Sequence, residues 1–325
     1  MRKTVNSIIC TGELIRKEFT EAKNSDNKEY RKVSFTVRYA PAMELIFTGR
    51  YNKYKANTDH ELSKMWDFTK EVFDKYKAYV SAEFDGFDDS GKYKWKETCL
   101  ADDEKADRVT CKAELGINSR IYKDRNTNEL VVANNKNYKM NGMYGIAHAD
   151  KNTSDDAKFT LEVFVTSFEK KKFGEEEIGL INGFGVKEGY GDYKDSVYPI
   201  VIKVPENGLD DTYEKFEEFN FKKDGVTAIF KGRILNGKET FEIGKEFDGK
   251  PVLGSKTINE YQLTMEVDPK KQIFSFADEN EKAINPKELF DLIRDRNADI
   301  EKKKEDYKNK NNEIVDTVEE EEIPF

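Results

Sequence analysis

Apolar and polar positions alternate along this chain in short runs, and the period of the alternation changes from one stretch to the next. Residues 5–16 carry apolar clusters on both sides of Gly12, a point where a strand can bend. After a polar loop at 21–29, residues 30–39 alternate strictly, with Val33, Phe35 and Val37 on one face and Lys32, Ser34, Thr36 and Arg38 on the other. Residues 44–51 read as a third strand. The period then becomes helical: Leu62, Met65, Trp66, Thr69, Val72, Phe73 and Tyr76 share one face. Thr58 or Asp59 is the expected cap, with Glu61 placed for a capping box. Strand character returns at 78–87. A further closing strand is expected at 108–117 or 159–168, the second being favoured, with 88–156 as an insertion.

Three strands, a helix and further strands is the order of an OB-type barrel, whose helix lies between the third and fourth strands. The second half repeats the order without residue-level identity: strands at 178–186 and 197–204, a short capped helix at 210–219, and strands at 226–235 and 258–267. The expected fold is therefore mainly β with few helices. It comprises a first OB-like domain over 1–170, a second over 175–278, a C-terminal helix over 286–307 opened by Pro286, and a flexible linker and disordered acidic tail over 308–325. Phe35, Phe47, Phe84 and Trp66 are expected in the core.

Charge is segregated. The net charge of −9 hides a basic segment, residues 1–56, and an acidic end in which Glu313, Asp316 and Glu319 to Glu322 stand without a base. Cys10, Cys99 and Cys111 form no CxxC pair, and with only two His a zinc site is not expected. No signal or membrane-spanning pattern is visible, so free thiols in the cytoplasm of a bacterial host are expected. No cofactor is expected: a phosphate-binding Gly-x4-Gly-Lys loop is missing, and Gly183 to Gly189 has one residue too many for a dinucleotide fingerprint. The acidic pairs Asp88-Asp89, Asp102-Asp103, Asp155-Asp156 and Asp210-Asp211 read as solvated or capping groups. A non-enzymatic protein is expected, with a metal-dependent nuclease as the alternative.

The chain ends Glu319-Glu320-Glu321-Glu322-Ile323-Pro324-Phe325. This resembles the C-terminal tip of the bacterial single-stranded-DNA-binding proteins, a run of acids followed by Ile-Pro-Phe; that family favours Asp where Glu stands here. Val5 to Arg16, with its Gly12-Glu13-Leu14 turn, resembles the family's opening strand. The family's chain is shorter, with one barrel and a Gly/Gln/Pro-rich linker, so this chain looks more like a phage or mobile-element version. The resemblance implies binding of single-stranded DNA without strong sequence preference in replication, recombination or repair. It also implies recruitment of a polymerase, helicase, primase or nuclease through the tip. Phe325 suits an apolar pocket, its carboxylate suits an Arg or Lys at the rim, and the four Glu steer the peptide toward basic surfaces. No membrane partner is expected; homo-oligomers are compatible with the sequence.

Holding unpaired strands requires cations for phosphates and flat rings for bases, each stacked base contributing about 1–3 kcal/mol. Arg50, Tyr51, Lys53, Tyr54 and Lys55 form the richest stretch, followed by Arg31, Lys32, Arg38 and Tyr39. Tyr93 and Trp95, Arg120 and Tyr122, and Tyr138 are expected in loops of the first domain, and Tyr190 and Tyr193 in a loop of the second.

Overall fold

A computed structural model of the chain describes residues 5–24, 26–55, 58, 61–124, 127–140, 142–173, 176–187, 196–217, 221, 226–245, 251–264, 274–276 and 286–316. The elements run β1 (Asn6–Lys23), β2 (Glu29–Ala40), β3 (Met43–Asn52), α1 (Lys64–Lys75), β4 (Val80–Phe87), β5 (Tyr93–Cys99), β6 (Arg108–Lys123), β7 (Leu130–Met140) and β8 (Ile146–His148). The second half continues with β9 (Asp156–Phe173), β10 (Glu176–Lys187), β11 (Ser196–Val204), α2 (Leu209–Glu217), β12 (Val226–Lys245), β13 (Pro251–Leu263), β14 (Phe274–Phe276) and α3 (Pro286–Asp316). Among the described residues no helix is long and apolar enough to cross a membrane.

Two OB-like barrels emerge from the pairing. In the first, β1 pairs antiparallel with β2 and β2 with β3; β3 pairs parallel with β7, β7 antiparallel with β6, and β6 antiparallel with β1. In the second, β9, β10, β11, β13 and β12 repeat this ring and close back on β9. Each ring has one parallel contact, Phe47 with Tyr138 and Ile202 with Tyr261, and each has its helix between the third and fourth strands.

Alternation explains the filling. Val33, Phe35 and Val37 on β2, and Leu45 and Phe47 on β3, are fully enclosed, as the strand period requires. β1 bends where a side chain cannot fit: a Cβ on Gly12 would lie 2.0 Å from the Arg38 carbonyl oxygen. The pairing register shifts just after it, between Leu14 and Arg16. The helix begins later than its pattern suggests. Tyr54 bridges Leu62, and the Lys55 amide donates to the Glu61 carbonyl at 2.9 Å, which holds 61–62 extended. Ser63 is the cap, its hydroxyl accepting from the Met65 amide at 3.3 Å, while Asp59 lies outside the described residues.

The expected closure of the first barrel is corrected. Residues 108–123 and 130–140 close it, placing Val109, Cys111, Leu115, Tyr138 and Met140 inside. Residues 159–168 instead belong to β9, the opening strand of the second barrel. Leu161, Glu162, Val163, Phe164 and Val165 are all buried, because β9 is covered on both faces. Residues 80–87 form no barrel stave. They pair parallel with β1 over Arg16 to Phe19, then fold back as a hairpin with β5. The C-terminal helix runs to Asp316 rather than ending at 307, so 308–316 is no linker.

The barrels are welded by their opening strands. β1 and β9 pair antiparallel from Asn6 with Leu161 to Thr11 with Asp156, making one continuous sheet. Across this seam the Tyr138 and Tyr261 hydroxyls meet at 3.2 Å in the interior. The Tyr39 hydroxyl donates to the Ile234 carbonyl at 2.8 Å and accepts from the Asn236 amide at 2.9 Å. Gly237 on β12 lies so close to Ala42 that a Cβ would fall 1.9 Å from its carbonyl oxygen.

Candidate nucleic-acid interface

The outward face of the first barrel, opposite to the core side chains, forms a groove of about 890 Å³. Cross-strand register builds its floor. Glu18 lies beside Ser34 and Thr20 beside Lys32 across β1 and β2; Tyr30 lies beside Asn52, Lys32 beside Arg50 and Ser34 beside Thr48 across β2 and β3. Tyr93 and Trp95 from β5, Asn118 from β6, Asn137 and Lys139 from β7, and Lys187 at the end of β10 form the walls. The third strand, the β1–β2 turn and the β6–β7 hairpin thus surround the channel, as oligonucleotide-binding barrels arrange them.

The groove is electropositive. Lys32, Arg50, Lys139 and Lys187 line it and form no salt bridge with a described residue. Its one carboxylate among the described residues, Glu18, is neutralised from the side by Arg16 at 2.8 Å and accepts from the Ser34 hydroxyl at 2.8 Å. The Arg50 guanidinium lies over the Tyr30 ring at 3.9 Å, a contact that holds both flat groups ready for a base or phosphate. The Thr48 hydroxyl donates to Asn137 Oδ1 at 2.9 Å, fixing one wall to the floor.

Above the floor, the β4–β5 hairpin carries a ring cluster. Phe84 packs edge-on against Phe87, Tyr93 and Trp95 at 5.4, 5.4 and 6.0 Å. Phe87 and Tyr93 stack at 5.3 Å while remaining 63% and 61% exposed. Large rings held apart from the core and open to water present faces on which flat groups can stack. Asp88 organises the turn of this hairpin, its carboxylate accepting from the amides of Ser90 and Lys92 at 2.9 Å each. It is a turn-forming acid, where the sequence suggested a solvated or capping one.

The groove thus unites Lys32, Arg50, Tyr93 and Trp95 from the sequence reading. Arg120 and Tyr122 are not in its lining; they follow Asn118 on the same face of β6, paired with β7 beyond the barrel. Tyr93, Trp95, Arg120 and Tyr122 sit on strands rather than in the expected loops. Asn137 and Lys139 fall within the 136–139 stretch that the sequence offered, there read as a loop, while Tyr30, Asn118 and Lys187 were missed. Tyr30 was legible: it is two positions before Lys32 in the alternation.

The other described candidates lie outside the groove lining. Arg31 points to the opposite face of β2, where it donates to the Trp66 carbonyl at 2.7 Å and bridges Glu21 at 2.8 Å. Tyr39 and Tyr138 are enclosed, and burial pushes both phenols up to about 12. Tyr51 follows Phe47 on the core face, its hydroxyl enclosed. Lys53 is paired with Glu29, which raises the lysine and lowers the carboxylate through their shared hydrogen bond. Lys55 bridges Glu61 at 2.7 Å and Arg38 bridges Glu44 at 2.9 Å. Tyr54 is exposed near α1, away from the groove lining. Trp66 is core, and Phe84 belongs to the hairpin cluster instead. Tyr190, Tyr193 and Glu319 to Phe325 lie outside the described residues.

Comparison with known proteins adds little. No family model and no curated protein matches the chain. Among solved structures it is similar to the wild-type single-stranded DNA binding protein from Thermus aquaticus, at 6% identity and a TM-score of 0.37, covering 83% of this chain and 99% of that one. It is also similar to a deletion mutant of the same protein, at 7% identity and a TM-score of 0.32, covering 72% and 88%. Neither overlap is tight enough to transfer a role.

Proposed function

We propose that the chain binds single-stranded DNA in the first-barrel groove, without strong sequence preference and without catalysis. One observation carries this reading. Lys32 and Arg50 stand side by side on the open sheet face with Tyr30, and the exposed ring of Tyr93 and the half-buried ring of Trp95 line the same groove. Cations spaced along a track with rings above it suit a flexible strand with splayed bases, whereas a stiff duplex offers its rings to nothing. Asn and Thr side chains supply adaptable hydrogen bonds and no fixed base code.

The setting is replication, recombination or repair, in a phage or mobile-element protein working in the bacterial cytoplasm. The Ile-Pro-Phe tip recruits partner enzymes such as a polymerase, helicase, primase or nuclease. The terminal sequence supports that part of the reading. The test is quenching of Trp95 fluorescence on titration with oligo-dT in dilute buffer, beside a matched duplex. Tight saturable quenching by the single strand and weak response to the duplex are expected. Equal response to both, or none to either, refutes the reading. Replacing Tyr93 by Ala should weaken binding by about 1–3 kcal/mol.

A further inference from the structure

The two barrels share one pairing order, so each strand position in the first has a counterpart in the second. Val37 pairs with Leu14 and Leu45, and Gly183 pairs with Val165 and Ile200 in the same places. The parallel contacts likewise match Tyr138 to Tyr261. Counting along each strand from these anchors compares the two outward faces residue by residue.

Among the described residues, the chemistry of the groove is missing from the second face. Ile178 stands in the place of Lys32, Glu176 in that of Tyr30, Pro205 in that of Arg50 and Gln262 in that of Lys139. The face does carry Lys171 and Lys203, at the counterparts of Thr20 and Thr48. Each is already engaged, Lys171 with Glu169 and Lys203 with Glu260, both at 3.4 Å. Among the described residues no hairpin corresponds to β4–β5 either.

What the second face carries instead is an apolar seat. Further along it, Phe164, Val186 and Val197 enclose Leu289 of α3, with Leu292 and Ile293 packed alongside. The helix then reaches the back of the β6–β7 hairpin, where Arg296 donates to the Ser119 hydroxyl at 3.2 Å and to Asn134 Oδ1 at 3.4 Å.

We infer that the chain has one strand-binding site and not two: the second barrel keeps the architecture of a binding module but serves as the seat of α3. This rests on the strand-binding reading of the first groove. Bound DNA is confined to the first-barrel groove, whose wall includes Lys187 at the end of β10, and to the β6–β7 hairpin, and α3 ties the second barrel to the rear of that hairpin.

The test counts strands on the full-length chain. An oligo-dT of about eight nucleotides fills one barrel and is too short to bridge two. Native mass spectrometry and sedimentation should give one oligonucleotide per chain. Lys32→Glu with Arg50→Glu, both exposed positions, should weaken binding more than about tenfold. Lys171→Ala with Lys203→Ala should leave affinity unchanged within about twofold. Two oligonucleotides per chain, or a tenfold loss in the Lys171/Lys203 variant, overturns the inference while leaving the first groove's function standing. No binding by the unaltered chain in dilute buffer overturns both.

Discussion

Replacing Lys32 with Ala tests the groove through its salt dependence. A protein that neutralises phosphates on a single strand releases counterions, and the logarithm of its association constant falls with the logarithm of salt by about 0.7 per phosphate contacted. Four cations face the groove free of described salt bridges: Lys32, Arg50, Lys139 and Lys187. With one phosphate each, the slope is about −2.8, and affinity drops roughly 50-fold between about 50 mM and about 200 mM salt. Lys32→Ala should reduce the magnitude of the slope by about 0.7 and weaken binding uniformly across base compositions. Arg31→Ala is the control one residue away. Its guanidinium is turned toward Trp66 and Glu21, so the slope should stay and the melting temperature should fall. The assay is fluorescence titration with oligo-dT at five or so salt concentrations for each protein. A slope that is flat in the unaltered protein, or that changes for Arg31→Ala and not for Lys32→Ala, refutes the assignment of faces.

Two further outcomes concern the seam between the barrels. Tyr138→Phe leaves the enclosed Tyr261 hydroxyl without its partner and should cost about 1–3 kcal/mol in urea unfolding, while the double change with Tyr261→Phe should recover most of the loss; equal costs for single and double variants refute the pairing. Lys136 donates to Asn259 across the seam, and burial brings its pKa down from 10.5 to about 8. A lysine with a lowered folded pKa carries its burden below that value and sheds it as pH rises toward the unfolded one. Lys136→Met, compared with the unaltered chain by denaturation, should therefore show a stability advantage that shrinks between about pH 8 and about pH 10.5; a difference constant across that window refutes it.

Much of the fold was legible because alternation survives wherever a strand has one wet face. β2 and β3 show it plainly, and so does the helical period of Trp66, Thr69, Val72 and Phe73. Closure was not legible. β9 alternates as a stave does, with Ala157, Phe159, Leu161, Val163 and Val165 apolar around Lys158, Thr160 and Glu162, so pattern alone did not separate it from β6 as the closing strand. The arm strands β6 and β7 are polar beyond the barrel, with Asn118, Asn134 and Asn135, and so resemble loops. At the site, the errors came from weighing residue type above parity. Arg31 and Tyr39 fall on the odd, inward face of β2, which the pattern of Val33, Phe35 and Val37 already marked. Tyr138 is different: its orientation depends on the parallel contact with Phe47, which no local pattern reveals.

The antiparallel seam between residues 6–11 and 156–161 has a consequence for anyone dissecting the molecule. Severing the halves would leave each with a bare ribbon of amides and carbonyls whose natural complement is gone. Such a ribbon runs antiparallel against a copy of itself as readily as against its lost mate. Isolated halves are therefore expected to marry their own kind, yielding swapped pairs or insoluble material in place of independent modules.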